Sequence, residues 1–195
     1  FTFYVSLSIT IILAVLVYRN NPKSATNQLF TILAVIIAIW IIILHLTYKQ
    51  NFVLISDLWW VRTSMAVIAV QNLFWFLLVH TITDNKIKLR KDIIYTLSLT
   101  TILIAILCLS PYTFTLVSYV NDFPNLKGGF GLVVFNLYNI PLVAVAIFLL
   151  YKKYRNSEGA AKQRFKWMLG GVATFFLLTI LTIALPVLFF QYSRF

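Results

Sequence analysis

The chain has 195 residues, 61% of them hydrophobic and 11% charged, and a formal net charge of +11. So much apolar surface excludes a soluble domain of this size. Basic residues confined to the ends of apolar runs, with no basic face or aromatic platform beyond them, exclude a nucleic-acid binder.

Asp, Glu, Lys and Arg are all absent from residues 1–18, 24–48, 63–83, 93–121, 128–151 and 167–193. Each stretch is long enough for a helix to cross ~30 Å of hydrocarbon at ~1.5 Å per residue. The expected fold class is all-α: a polytopic transmembrane helix bundle with six predicted spans, forming one membrane domain over 1–195.

The first helix is expected over 2–18 and ends at Asn20-Asn21-Pro22, where a helix cannot continue. It lacks the basic start and small-residue cleavage site of a signal peptide, so it reads as a retained span. The second, 27–48, carries Trp40 and His45 in its later half. The third, 57–83, carries Arg62 and the central pair Gln71-Asn72. The fourth, 92–110, holds several hydroxyl residues and the lone cysteine, Cys108, and stops at Pro111. A single cysteine excludes an intrachain disulfide and a cysteine-based metal site.

The connection from Pro111 to Phe130 is the one long loop. Residues 113–120 are β-prone, Asn121 to Asn125 are turn-formers, and Gly128-Gly129 breaks the chain, so a small external hairpin is expected at 112–130. The fifth helix, 131–154, carries Asn136, Asn139 and Pro141. The sixth, 160–190, carries Gly170-Gly171 and Pro186.

Charge sets the orientation. The first, third and fifth connections hold twelve basic residues, whereas all other positions share four: Lys49, Arg62, Lys127 and Arg194. The positive-inside rule then puts those three loops in the cytoplasm and the N-terminus outside. Six crossings leave Phe195 outside as well, so one further helix is expected before any cytoplasmic module.

An ionisable or strongly polar residue within a span is a candidate functional residue, because its desolvation requires a partner. Arg62 lies about five residues into the third helix, or ~7 Å deep. Three readings are open: snorkelling toward headgroups, an ion pair with Asp57, or a cation facing an outer ligand pocket. Trp40, His45, Asn136 and Asn139 are expected at similar depth. Asn136 and Asn139, three apart, are expected to share a face. With Arg62 they form a candidate ligand site between the second, third and fifth helices. The competing reading makes the asparagines interhelical glue and the tryptophan a core or belt residue. No nucleophile, paired carboxylate or metal-ligand cluster is visible, so these 195 residues hold no expected active site, metal or cofactor.

Asn21-Pro22 followed by Asn27-Gln28-Leu29-Phe30 and Trp40 reads NP-x4-NQLF-x9-W. Lys162-Gln163-Arg164-Phe165-Lys166, with Gly170-Gly171 and Pro186 after it, forms a second pattern. Together they resemble the N-terminal seven-helix membrane region of bacterial histidine kinases, over the whole chain. The resemblance implies a sensory input domain in the plasma (cell inner) membrane, taking a small ligand or membrane stimulus. It also implies a seventh helix, a cytoplasmic kinase beyond Phe195 and homodimerisation through that kinase. The alternative is a small-solute transporter, which predicts symmetry-related repeats that the sequence does not display.

Overall fold

The structure is a computed structural model that describes residues 2–48, 57–82, 89–120 and 123–179. In chain order it contains α1 (Thr2–Asn20), α2 (Ala25–Tyr48), α3 (Asp57–Thr81), α4 (Lys91–Leu109), β1 (Phe114–Val120), β2 (Phe123–Gly128), α5 (Phe130–Arg155) and α6 (Gly159–Thr179). Five of these helices, α1 to α5, are long and apolar enough to cross a membrane among the described residues. Hydrocarbon offers no partner to backbone N–H and C=O groups, so an apolar run closes its own hydrogen bonds as a helix. The fold is the expected all-α polytopic bundle. The expected sixth span reaches 190, but only its part up to Thr179 lies within the described residues, and Pro186 lies outside them.

The two strands pair antiparallel, from Phe114 opposite Gly128 to Val120 opposite Phe123, with one irregularity between Leu116 and Ser118. The expected hairpin is therefore present. Its second strand, however, takes in Phe123, Pro124 and Asn125, which local composition assigns to the turn. Cross-strand pairing with β1 outweighs their weak strand preference.

α3 sits at the centre. It packs against α2, α4 and α5 and touches β1. Two apolar clusters surround it. At the hairpin end Ala66 and Ala69 of α3 meet Ile104 and Cys108 of α4 and Phe135 of α5. At the opposite end Leu73, Phe76 and Leu77 meet Leu29 and Leu33 of α2, Leu142, Ala146 and Leu150 of α5, and Phe165 of α6. Ala69 and Ala146 are fully buried. Lipid is as apolar as leucine, so helices associate through close packing, and small residues permit that approach.

Candidate functional site

The hairpin is rooted in α4 and α5 by backbone contacts. Thr113 is buried and donates its hydroxyl to the Leu107 carbonyl at 2.9 Å. The amides of Gly129 and Gly131 donate to the carbonyls of Thr113 and Tyr112, each at 2.9 Å. A Cβ on Gly129 would collide with the Tyr112 carbonyl, so this close return of the chain requires glycine. The root in turn fixes where the first strand begins, at Phe114.

Arg62 points to that position. Its guanidinium donates from Nη2 to the Phe114 carbonyl at 2.6 Å, across 52 residues of sequence. The side chain is half-buried. Its Nε–H is buried with no hydrogen-bond partner among the described residues, and so is the Trp60 indole N–H. The hairpin end of α3 thus carries one strong cationic tie to the hairpin and two buried N–H donors that meet no acceptor among the described residues. The ion-pair reading concerns the Asp57 side chain, which lies outside what is described.

The other expected site residues enter separate contacts. Trp40 donates its indole N–H to the Ser64 hydroxyl at 2.9 Å. Ser64 follows Arg62 by two positions, which is ~200° around a helix, so Trp40 and Arg62 address different sides of α3. His45 stacks on Phe3 of α1, with ring centres 3.9 Å apart. Asn139 is buried and accepts a hydrogen bond from the Asn72 amide at 2.8 Å, while its own amide donates to the Phe135 carbonyl. Asn136 is exposed. The expectation that Asn136 and Asn139 share a face is therefore corrected: three residues leave them ~60° apart, and the edge of the helix interface falls between them.

Polar contacts that composition did not single out lie at the opposite end of α3. Lys153 of α5 donates Nζ to the carbonyls of Val79 at 2.7 Å and His80 at 3.0 Å. The Thr26 hydroxyl of α2 donates to the carbonyl of Thr81 at 3.0 Å. Three successive carbonyls at the C-terminus of α3 are thus satisfied from two neighbouring helices. A cation there also complements the negative end of the helix dipole. In sequence Lys153 is one of several loop-flanking charges, and its position in the last turn of α5 was the available signal.

The NP-x4-NQLF-x9-W residues have structural partners. The Asn27 amide donates to the Val17 carbonyl at 2.9 Å, and the Gln28 amide to the Pro22 carbonyl at 2.9 Å. Both brace the turn from α1 into α2. Leu29 is buried in the larger cluster and Phe30 packs against it.

The family model for the N-terminal 7TM region of histidine kinase matches residues 2–193. The chain belongs to that family. No curated protein and no solved structure matches it.

Proposed function

We propose that this membrane region of a histidine kinase receives its stimulus at the hairpin end and passes it through α3 to a cytoplasmic kinase module. The observation that carries this reading is the contact of Arg62 with the Phe114 carbonyl, which ties the hairpin to the helix at the centre of the bundle. Because Lys153 and Thr26 hold the other end of α3, a displacement at Arg62 is delivered to α2 and α5 rather than lost in a loose helix end.

The hairpin end faces outward in this reading, with the N-terminus outside and the basic loops in the cytoplasm of a cell whose plasma membrane holds the protein. The twelve-to-four distribution of basic residues supports it. Labelling from outside is expected to modify an Asn125→Cys variant and to spare an Asn156→Cys variant; the reverse pattern would refute the orientation. The transporter alternative gains no support from the family.

An anionic or strongly polar ligand competes with the Phe114 carbonyl for Arg62, because a carboxylate or phosphate makes a stronger, charge-assisted hydrogen bond than a neutral carbonyl. Trp40, His45 and Asn139 stay in the proposal as residues that shape the response, each through its own contact, and Asn136 stays as an exposed polar group of α5. Ligand binding changes output only to the extent that it favours one packing over the other. The test is the dose–response of the dimeric full-length kinase. Arg62→Gln is expected to shift the midpoint at least about tenfold, the equivalent of one lost charged hydrogen bond. Arg62→Lys, which keeps charge and loses the planar fork, should fall between. An unchanged midpoint in both variants would sink the assignment.

A further inference from the structure

Where α5 turns into α6 the chain forms a cleft of about 350 Å³, lined by Tyr154, Gly159, Lys162, Gln163, Lys166 and Trp167. That volume is near the lower limit for small-molecule sites, about 300 Å³. Gly159 takes a positive φ of 55°, which lets the chain reverse here without a side-chain clash. Lys162 and Lys166 are four apart and so project from one face of α6. The Lys162 ammonium lies 5.7 Å from the centre of the Tyr154 ring, which holds it beside the cleft. No lining residue is acidic; Glu158, the one carboxylate between 152 and 167, is exposed and does not line it.

The position of the cleft along the membrane axis is as informative as its charge. The apolar span of α5 ends at Arg155, and the charge-free run of the sixth helix begins at Trp167. The cleft therefore sits where hydrocarbon gives way to headgroups. Trp167 is 74% exposed, a large ring with one polar atom at the level such side chains prefer.

We propose that this cleft binds the phosphate of an anionic phospholipid, with Lys162 and Lys166 on the phosphate, Gln163 hydrogen-bonding the polar headgroup and Trp167 against the upper acyl chain. Ammonium groups serve as compact, multi-donor charges for phosphate. A membrane lipid is favoured over a soluble phosphate because one wall of the cleft is the exposed tryptophan at the start of an apolar run. The proposal is independent of where the stimulus is sensed.

The test uses the full 195-residue chain in phosphatidylcholine nanodiscs that contain phosphatidylglycerol. One lipid at a time is brominated near the top of its acyl chain, and tryptophan quenching is read. The part absent from Trp167→Phe is assigned to Trp167. Brominated phosphatidylglycerol is expected to quench that part several-fold more than brominated phosphatidylcholine at equal mole fraction, since each lysine near a membrane surface contributes about fivefold in anionic-lipid preference. Lys162→Gln with Lys166→Gln should bring the ratio close to one. Lys152→Gln with Arg155→Gln, which removes two exposed cations outside the cleft, should leave it in place. A ratio of one in the parent chain would overturn the proposal, as would equal losses in both double variants. Abolition of the preference by millimolar inorganic phosphate would reassign the cleft to a soluble anion and overturn the lipid assignment.

Discussion

Helices α1 and α3 have similar hydropathy, yet 6% of the apolar span of α1 is buried against 44% of that of α3. Hydropathy decides that each crosses the membrane; it does not decide where each stands in the bundle. That position follows from polar side chains and small residues. The Thr10 hydroxyl of α1 returns to the Ser6 carbonyl of its own helix. On α3, Arg62 reaches the hairpin, Ser64 receives Trp40 from α2, and Asn72 reaches α5. A helix whose polar groups are satisfied internally can face lipid. One whose polar groups need outside partners is drawn to the centre.

The sharpest way to break this contrast is at Lys153. Lys153→Met removes the ammonium that satisfies two carbonyls at the end of α3, and hydrogen bonds to a charged group are each worth about 1.5–3 kcal/mol. A loss of about 2–3 kcal/mol is expected in reversible unfolding from mixed micelles. Arg19→Met, at the matching end of α1, removes an exposed cation and should cost under about 0.5 kcal/mol. Equal losses would mean that α3 is not held from its end.

A smaller effect is expected at mid-membrane. Asn139→Leu leaves the Asn72 amide without its acceptor and should cost about 1 kcal/mol, in the range measured for such pairs in bilayers. Adding Asn72→Leu should restore part of that loss, because a buried orphan costs more than an absent pair. Full additivity of the two losses in the double variant would show that the asparagines act separately.

These positions also mark the limit of what the sequence discloses. The spans, their order and the hairpin were legible because charge, proline and glycine punctuate the chain at Arg19, Lys49, Pro111 and Gly128-Gly129. The rotation of each helix was not. A span apolar all round has no amphipathic phase to say which side faces inward, so Asn136 and Asn139 were assigned to one face and the structure divides them. Arg62 was legible as a costly cation. Its partner was not, because Phe114 contributes a backbone oxygen that every residue possesses. Lys153 was hidden among the other basic residues of the fifth connection, from which sequence alone does not separate it.

The smallest effect belongs to α1 and tests the other half of the comparison. Ile12 and Leu16 are 56% and 59% exposed, and of the α1 residues whose burial is described only Ala14 is buried. In water, cutting back such large side chains would change a burial term. In a bilayer the side chain has lipid around it in both the assembled and the separated helix, so its transfer term cancels. Ile12→Ala and Leu16→Ala are therefore each expected to change unfolding free energy by less than about 0.5 kcal/mol. Unfolding midpoints measured beside those of the Lys153 and Asn139 variants supply the check. A loss of about 1 kcal/mol or more at either position would show that this face of α1 packs against protein, and the contrast with α3 would then fail from the lipid side.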